Sequence, residues 1–309
     1  MELSQKPLPL EALRFQLVNR PANGHKGTFG TVLVIGGSWG MSGAPALCGL
    51  AALRCGAGLV KLAIPERILP ITAGLGLEFT TVSLPETSGG QIAKSALSQL
   101  LTLAGTATIA AVGPGLGRSE DLDFLISELW KRLPIPAVFD ADALNALAVR
   151  SFPQNGTLPE HAGIRIVTPH PGEFSRLMPD SPATDSETQR RNAVRFARQN
   201  DCVTVLKGRG TQITDGNQIF RNSTGNSGMA TGGSGDVLTG VTAALGAQLF
   251  RKSVSPLDAT RLAVYLHGRA GDLAARELGE CSLIASDLIR FLPPAIQKTE
   301  ALPPLCGTP

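Results

Sequence analysis

The sequence predicts an α/β fold with a central, mostly parallel β-sheet and helices on both of its faces. Short apolar runs rich in Val and Ile alternate with helical stretches, and most of these runs end in a glycine-rich or polar loop. There are 35 glycines, whereas aromatic residues make up only 5% of the chain, so we expect a core of small and branched aliphatic side chains. Strands that alternate with helices form βαβ units, whose strands are buried on both faces.

The chain opens with the strand–helix–strand order of such a unit. Thr31–Ile35 is a β-branched run that stops at two glycines, which predicts a buried strand followed by a loop. Residues 42–58 are rich in Ala, Leu and Gly and predict a tightly packed helix, and residues 59–64 predict the next strand. The alternation continues with strands predicted at residues 106–112, 137–139, 164–167 and 203–206 and helices predicted at residues 122–131, 143–149 and 187–199.

The pattern changes after residue 206. Residues 211–214 and 218–221 flank an Asp-Gly pair, and this arrangement predicts a β-hairpin with a primed turn. A glycine-rich loop follows, and the last predicted helices cover residues 237–249 and 257–278. Asp185 or Ser186 is the expected N-cap of the helix at residues 187–199.

We expect one domain, because the chain contains no internal repeat and no linker long enough to divide it. Residues 1–24 form a polar, proline-containing lead-in with room for one short helix. Residues 25–298 are assigned to the α/β domain. Residues 299–309, which contain two adjacent prolines and a glycine, are assigned to a loose C-terminal tail.

Charge, cysteine content and hydropathy exclude several classes of protein. The net charge is +3 without a dense Lys/Arg run, so a small anionic substrate is compatible and a nucleic-acid surface is not expected. The five cysteines form no CxxC pair, which favours inert thiols in a reducing compartment. Without a signal-peptide pattern or a long uncharged apolar run, we expect a cytoplasmic protein with no membrane segment.

The loops that follow the predicted strands concentrate glycine, polar and charged residues. In an open α/β sheet, ligands bind beyond the carboxyl ends of the strands, so these loops are expected to meet at one edge of the sheet. They comprise residues 36–38, 113–117, 140–142, 168–173, 207–211 and 226–236. Their convergence predicts a ligand site at that edge.

The strongest signal is the loop TGGSGD, which runs from Thr231 to Asp236. Glycines allow successive backbone N–H groups to point at one anion, and a helix start behind them adds a positive dipole. A carboxylate repels a bound anion, so we interpret Asp236 as a base or proton shuttle beside it. The alternative is that Asp236 only caps the following helix.

Several longer stretches stand in a characteristic order between residues 25 and 245. They are HKGTFGTVLVIGGSWGMSGAPALCGLAALRCGAGLV from His25, GPGLGR from Gly113, DADALNAL from Asp140, TPHPGEF from Thr168, LKGRGTQI from Leu206 and NSGMATGGSGDVLTG from Asn226. Together they resemble the ADP- or ATP-dependent NAD(P)H-hydrate dehydratases, members of the ribokinase-like superfamily, whose fold is a three-layer sandwich. Ser227 departs from the family pattern, which has Pro at this position.

The resemblance implies that the protein repairs hydrated, damaged NADH and NADPH by nucleotide-dependent dehydration of the S-form. ADP is the expected co-substrate, which leaves AMP and phosphate, and Mg²⁺ is the expected cofactor. Phosphoryl transfer would turn the ring hydroxyl into a better leaving group. Asp236 would deprotonate this hydroxyl, and the backbone N–H groups of Gly233, Ser234 and Gly235 would stabilise charge on the transferred group.

The resemblance also assigns residues to the substrate, and these are Ala44, Gly115, Gly117, His170 and Asp236. For Ala44 the alternative is plain helix–sheet packing, and for the two glycines it is a tight strand-end turn. For His170 the alternative is a loop histidine that is hydrogen-bonded to the backbone.

Glu173 is a possible Mg²⁺ contact through water. In related sugar and vitamin kinases an Asn-x-x-Glu motif helps to hold the ion here, whereas this chain has His170 at the first position. Asp140 and Asp142 follow a predicted strand, so a substrate or metal-water role is open for both. Helix capping is the alternative for Asp142.

The nucleotide-binding residues implied by the resemblance are Lys207, Gly208, Arg209, Gly210, Thr211, Gly232 and Gly235. Lys207 would neutralise phosphate charge, and Thr211 would reach the nucleotide from the start of the hairpin. The alternative for Lys207 is a strand-end lysine in a solvated turn.

Two other functions stay open: a ribokinase-like vitamin kinase that uses the same base and anion loop, and a nucleotide-sensing protein without catalysis. Many family members carry an N-terminal epimerase domain, so the resemblance implies either a separate epimerase partner or a chain that is a fragment of a fused protein. It further implies a homo-oligomer, expected to be a tetramer.

Overall fold

The computed structural model describes residues 9–150, 156–179, 181 and 185–297, with the main chain alone at residue 150. The predicted C-terminal tail and the predicted end of the domain at residue 298 lie outside the described residues, as do the first eight residues of the lead-in. The described part of the lead-in contains one helix, α1 (Leu10–Val18), whose Leu13 is completely buried.

One sheet runs through the described part of the chain. Its strands are β1 (Thr31–Ile35), β2 (Leu59–Pro65), β3 (Thr80–Leu84), β4 (Ile109–Val112), β5 (Ala137–Phe139), β6 (Arg165–Val167), β7 (Cys202–Leu206), β8 (Gln212–Thr214) and β9 (Ile219–Arg221). These nine strands have the order β3-β2-β1-β4-β5-β6-β7-β8-β9. The strands from β1 to β7 pair in parallel, and β8 and β9 extend the sheet as an antiparallel hairpin. The predicted central, mostly parallel sheet is confirmed.

Helices cover both faces of this sheet. After α1 they are α2 (Gly43–Arg54), α3 (Leu69–Ala73), α4 (Leu97–Ala104), α5 (Glu120–Arg132), α6 (Asp142–Arg150), α7 (Pro171–Leu177), α8 (Ser186–Gln199), α9 (Ser234–Leu249), α10 (Pro256–Leu278) and α11 (Ala285–Gln297). Val32 and Val34 of β1 enter a core with α2, α9, α10 and α11, whereas Leu33 and Ile35 enter a second core with α4, α5 and α6. Successive side chains of a strand point to opposite faces, so each apolar strand fills two cores and the predicted three-layer sandwich results.

Polar side chains begin two of the outer helices. Asp185, one of the two predicted caps, is the N-cap of α8, and its Oδ1 accepts the backbone N–H of Thr188 at 2.8 Å. Ser119 caps α5 in the same way through the N–H of Leu122 at 3.2 Å. These bonds satisfy N–H groups that have no partner within the helix.

The sequence did not predict β3, α3, α4, α7 or α11. β3 is an edge strand in which only Leu84 is buried, so it lacks the continuous apolar run of the central strands. α3 and α7 are short, with five and seven residues, and so offer few turns over which a helical period is visible.

The predicted hairpin of β8 and β9 is confirmed, but its predicted primed turn is wrong. Thr214 pairs with Ile219, so residues 215–218 connect the strands instead of the two residues that a primed turn uses. The reason lies in Asp215, whose Oδ1 accepts the backbone N–H groups of Asn217 and Gln218, both at 2.8 Å. This side chain stabilises a wider turn.

α2 packs tightly against α9. A Cβ atom added at Gly240 of α9 would lie 2.1 Å from the carbonyl oxygen of Cys48 in α2. α2 carries the predicted substrate residue Ala44, and α9 starts at the predicted anion loop. The absence of a side chain at Gly240 therefore sets the distance between two parts of the predicted site.

We expect Gly240→Ala to lower the free energy of unfolding by about 1–3 kcal/mol, because overpacking forces the two helices apart. Gly43→Ala in α2 is the matched control, since no heavy atom lies within 4 Å of the Cβ position there. The control is expected to keep the stability or to raise it by up to about 1 kcal/mol. Urea unfolding measures both changes, and a Gly240→Ala protein as stable as the wild type would contradict the packing argument.

Candidate active site

The loops after the parallel strands meet at the carboxyl edge of the sheet. Backbone hydrogen bonds join neighbouring loops: the N–H of Gly37 donates to the carbonyl of Pro114 at 2.8 Å, and that of Lys207 donates to Pro169 at 2.9 Å. The loops after β4 and β5 are so close that a Cβ at Gly113 would lie 1.8 Å from the carbonyl oxygen of Asp140. The predicted convergence at one edge is confirmed.

The glycine loop before α9 leaves backbone donors at the start of that helix. Gly233 is the N-cap with a φ of +88°, and a Cβ there would lie 2.6 Å from Leu47 Cδ1. The N–H of Ser234 donates to the carbonyl of Thr231 at 3.3 Å, so it is already engaged. Among the described residues no acceptor contacts the N–H of Gly233 or Gly235. Two of the three predicted donors are therefore available to an anion at the positive end of the helix.

Asp236 lies in the first turn of α9, and no described residue donates a hydrogen bond to its carboxylate. Its pKa is raised to about 7, first by burial and then by the negative charge of Asp140, while the ammonium group of Lys207 opposes the shift. A base that works at neutral pH needs such a pKa. The capping alternative is not supported, because Gly233 is the N-cap of α9 and no described backbone N–H group of this helix donates to the carboxylate of Asp236.

A buried carboxylate joins three elements next to the glycine loop. Asp140, which is 1% exposed at the end of β5, accepts hydrogen bonds from Lys207 Nζ at 2.8 Å and from Thr239 Oγ1 at 2.7 Å. Thr239 belongs to α9, and a Cβ at Gly235 would lie 3.3 Å from Lys207 Nζ. The lysine is therefore held in place by a carboxylate and does not stand in a solvated turn.

Lys207 stays protonated although its side chain is largely buried. Burial by itself lowers the pKa of this ammonium group, but the carboxylates of Asp140 and Glu173 outweigh the effect, and the pKa is raised. A permanent positive charge consequently lies beside the anion loop.

His170 and Glu173 form a reciprocal cap at the start of α7. His170 Nδ1 accepts the backbone N–H groups of Gly172 at 3.0 Å and Glu173 at 3.4 Å, and Glu173 Oε2 accepts that of His170 at 2.8 Å. Because Nδ1 is an acceptor, the ring proton lies on Nε2, 3.2 Å from Glu173 Oε1. Burial, followed by the charges of Lys207 and Arg176, lowers the pKa of the ring and so favours its neutral form. The ring thus makes the backbone contacts of the alternative interpretation while its side chain stays 50% exposed.

The carboxylates at this edge do not form a direct metal-ligand set. Over the ranges that the structure describes, no group of three or more His, Cys, Asp or Glu side chains is arranged to hold a metal ion. Lys207 Nζ lies between Asp140 and Glu173, at 2.8 and 3.8 Å from their oxygens. Because an ammonium group repels a cation at close range, Glu173 suits contact through a metal-bound water and not direct coordination.

Of the predicted substrate residues, Ala44 and the buried Gly115 pack against each other, and Gly117 lies two positions further along the same loop. A Cβ at Gly115 would be 2.9 Å from the Cβ of Ala44. The N–H of Gly117 donates to Asp142 Oδ2 at 2.9 Å, and Asn145 Nδ2 lies 3.4 Å from the other oxygen. Asp142, whose role the sequence left open, therefore holds the loop of Gly117 in place.

The predicted nucleotide-binding stretch, residues 207–211, is a loop with an internal hydrogen bond. Thr211 Oγ1 donates to the carbonyl oxygen of Gly208 at 3.0 Å. The guanidinium group of Arg221 covers Gly210, where a Cβ would lie 2.3 Å from Arg221 Nε. The side chain of Arg209 is exposed. This loop follows β7 directly and so starts beside the pair of Lys207 and Asp140.

α10 supplies two contacts that the sequence did not predict. His267 Nε2 lies 3.0 Å from the carbonyl oxygen of Ser234, and burial lowers the pKa of its ring to about 4, so the ring is a neutral donor. Asp272 accepts the N–H of Gly225 at 3.0 Å and the side-chain amide of Asn226 at 3.1 Å. These contacts join residues at least 33 positions apart, a separation at which no local sequence pattern is visible.

Comparison with known proteins identifies first the fold and then the family of this chain. Hydroxyethylthiazole kinase of Pyrococcus horikoshii OT3 covers 92% of the chain with 17% identity and a TM-score of 0.56, which shows a shared fold. Residues 32–294 match the family model described as NAD(P)H-hydrate dehydratase. The chain belongs to the NAD(P)H-hydrate dehydratase family.

Several members of this family are similar over most of the chain. The bifunctional NAD(P)H-hydrate repair enzyme Nnr of Moorella thermoacetica is 45% identical over 289 residues, which cover 93% of this chain and 53% of that protein. The Nnr of Escherichia coli is 35% identical over 286 residues, which cover 91% and 50%. The chain therefore spans about half the length of the curated relatives it matches.

A solved relative matches most of the chain. The ADP/ATP-dependent NAD(P)H-hydrate dehydratase of Bacillus subtilis, co-crystallised with ATP and Mg²⁺, is 31% identical with a TM-score of 0.75. The match covers 95% of this chain and 98% of that one. In the portion of the chain with described structure, no helix has the length and apolar content needed to cross a membrane.

The raised pKa of Asp236 gives the folding stability a dependence on pH that asparagine at this position removes. An unfolded Asp ionises near pH 4, whereas folded Asp236 ionises at about pH 7. Below about pH 4, Asp236 is protonated in both the folded and the unfolded state and does not lower the stability. Between about pH 4 and pH 7 the unfolded state loses this proton more readily, so the free energy of unfolding of the wild type falls as the pH rises. We expect the free energy of unfolding of Asp236→Asn, relative to wild type, to grow across this window and then to stay constant.

Urea unfolding of the two proteins at a series of pH values measures this difference. Glu120→Gln, which removes an exposed carboxylate from the first turn of α5, is the matched control and is expected to show a much smaller dependence. A stability difference between Asp236→Asn and wild type that does not change from pH 4 to pH 7 would show that the pKa of Asp236 is not raised.

Proposed function

We propose that this chain dehydrates the S-epimer of hydrated NADH and NADPH in a reaction that converts ADP to AMP and phosphate. The observation that carries the proposal is the carboxylate of Asp236, which has a pKa of about 7 and receives no hydrogen bond from a described residue. It stands in the first turn of the helix behind an anion-binding loop. Membership of the NAD(P)H-hydrate dehydratase family and similarity to the ADP/ATP-dependent enzyme of Bacillus subtilis support the same reaction.

The chemistry requires a base beside a phosphate site. Ionised Asp236 takes the proton of the ring hydroxyl, whose oxygen bonds to the terminal phosphorus of the nucleotide while the bond to AMP breaks. The free N–H groups of Gly233 and Gly235 stabilise the charge on the transferred phosphoryl group. The C–O bond of the resulting phosphate ester then breaks, the neighbouring ring carbon loses a proton, and the double bond of the dihydronicotinamide ring is restored.

The nucleotide is assigned to residues 207–211 together with Gly232 and Gly235. A Cβ at Gly232 would have no heavy atom within 4 Å, so the loop is open at this point. Lys207 supports the assignment, because its ammonium group lies beside Gly235, where the phosphates would bind. A positive charge that is fixed by Asp140 needs no rearrangement when the anion arrives.

The substrate is assigned to the loop of Gly115 and Gly117 with the neighbouring Ala44, and to the exposed side of His170. These small residues allow a ring to approach the backbone closely. When Mg²⁺ is bound with the nucleotide it shields phosphate charge, and Glu173 is proposed to contact it through water.

A ribokinase-like vitamin kinase is the alternative function, because it would use the same base and anion loop. His170 favours the dehydratase, since the related kinases have Asn at this position. A nucleotide-sensing protein without catalysis is disfavoured by Asp236, because a partly buried carboxylate with a raised pKa and no structural hydrogen bond suits a proton-transfer role.

The proposal includes an epimerase that supplies the S-form from the other epimer. The relatives of Moorella thermoacetica and Escherichia coli are named as bifunctional enzymes, and the chain spans about half of their length. The epimerase would stand either on a longer form of this chain or on a separate protein. A homotetramer in the cytoplasm completes the proposal.

Hydrated NADH mixed with the protein and either ADP or ATP tests the reaction. The proposal predicts that absorbance returns at the NADH band, faster with ADP, and that AMP and phosphate appear in equal amounts. If the absorbance at the NADH band returns with neither nucleotide, the dehydratase assignment is wrong. Phosphorylation of a hydroxymethyl-bearing vitamin in its place would establish the kinase.

Asp236→Asn is expected to lower the turnover number by at least about 10²-fold, because general-base catalysis typically contributes 10²- to 10⁴-fold. Binding of ADP should persist, since the substitution keeps the shape of the side chain and removes a negative charge. Steady-state kinetics and calorimetric titration with ADP measure the two effects. Glu120→Gln should retain full turnover, and full turnover of Asp236→Asn would remove this residue from the mechanism.

A further inference from the structure

A groove on the outer surface collects arginine side chains that the proposed reaction does not use. It lies between α8 and the turn that joins β8 to β9, and it has a volume of about 440 Å³. We call it the arginine groove, and its lining residues are Arg190, Arg191, Val194, Arg195, Arg198, Gln199, Asn217, Gln218 and Ile219. This lining contains four arginines and no carboxylate.

Most of these guanidinium groups are bound to neutral partners. Arg198 donates to the carbonyl oxygen of Gly216 through Nε at 3.0 Å and Nη2 at 2.5 Å. Arg191 Nη2 donates to a threonine hydroxyl at 3.2 Å, and Arg195 Nη2 donates to the hydroxyl of Ser181. Such bonds orient a guanidinium group but leave its charge in place.

Carboxylates near the groove balance only part of this charge. Among the described residues, Arg190 alone of the four has an ion pair, with Glu187 at 3.4 Å. Asp215 stands in the adjacent turn, but its Oδ1 already accepts two backbone N–H groups. Asp185 Oδ2 accepts the hydroxyl of Thr188 at 3.0 Å, and Arg191 donates to the same hydroxyl, so Asp185 offsets part of the charge of Arg191. Arg195 and Arg198 have no ion pair with a described carboxylate, and the remaining excess of positive charge on this concave surface favours a ligand with several negative charges.

The groove lies at the opposite edge of the sheet from the candidate active site. β8 runs antiparallel to β7, and Thr214 at its end pairs with Thr204. The turn at residues 215–218 consequently lies towards the amino end of β7, whereas the loop of Lys207 follows its carboxyl end. A ligand in the arginine groove would leave the catalytic edge open.

We propose that the arginine groove binds a small molecule that carries two or more phosphate groups. The planar guanidinium fork pairs with phosphate oxygens through two parallel hydrogen bonds, and several forks at one site select for several phosphates. The volume lies in the range of small-ligand pockets, and Val194 and Ile219 provide an apolar wall for the rest of the molecule. The lining lacks an aromatic side chain for base stacking, which disfavours single-stranded nucleic acid.

Inorganic pyrophosphate is the probe, and Gly232→Asp is the background in which the groove is measured by itself. The new carboxylate in the anion loop repels phosphate from the catalytic edge, and open space around this position lets the variant fold. Isothermal titration at constant ionic strength is expected to show about one pyrophosphate per chain. Adding Arg191→Gln and Arg195→Gln should weaken the binding at least tenfold, because the two substitutions remove charge-assisted hydrogen bonds to the phosphate oxygens.

The matched control adds Arg54→Gln and Arg276→Gln, which remove the same charge from exposed positions outside the groove. It should bind pyrophosphate as tightly as the Gly232→Asp background. No binding in the background, or an equal loss in the control, would overturn the proposal. Orthophosphate that binds as tightly as pyrophosphate would also overturn it, as would a single-stranded RNA that binds more tightly through the same arginines.

Discussion

The candidate site depends on one buried ion pair, between Asp140 and Lys207. An ion pair taken out of water is costly to break, because a lone charge left behind is worth several kcal/mol of destabilisation. The pair joins the ends of β5 and β7, and the hydroxyl of Thr239 ties it to α9 at 2.7 Å. The anion loop at the start of α9 is thereby fixed relative to the sheet, which a glycine-rich loop could not achieve alone.

The same pair sets the charge of the groups that would react. Lys207 keeps its proton because carboxylates surround it, so a positive charge stands at the proposed phosphate site. Asp140 keeps Lys207 charged but favours the neutral form of Asp236. Its negative charge adds to the effect of burial, and together they raise the pKa of Asp236 to about 7. Phosphate binding and proton removal make opposite electrostatic demands, and a fixed carboxylate beside a fixed ammonium group meets both.

Local patterns in the sequence account for much of the fold and for part of the site. The strand at Thr31–Ile35, the helix start behind TGGSGD and the cap at Asp185 each have a signal within a few residues, and these structural predictions were confirmed. Binding of an anion by the TGGSGD loop stays a prediction. β3 was missed because a half-exposed edge strand has no continuous apolar run. The bond between Asp140 and Thr239 spans 99 positions, so no spacing rule could reveal it. The raised pKa of Asp236 was equally hidden, because it results from burial and from charges that folding brings together.

The link between Asp140 and the base is tested most directly by the pH dependence of kcat/KM for hydrated NADH in wild type and Asp140→Asn. The wild type should lose activity below about pH 7, where Asp236 is protonated. Removal of the neighbouring negative charge makes ionisation of Asp236 easier, so the acidic limb of the variant should move to lower pH by at least about half a unit. An acidic limb that stays in place or moves to higher pH would contradict the account.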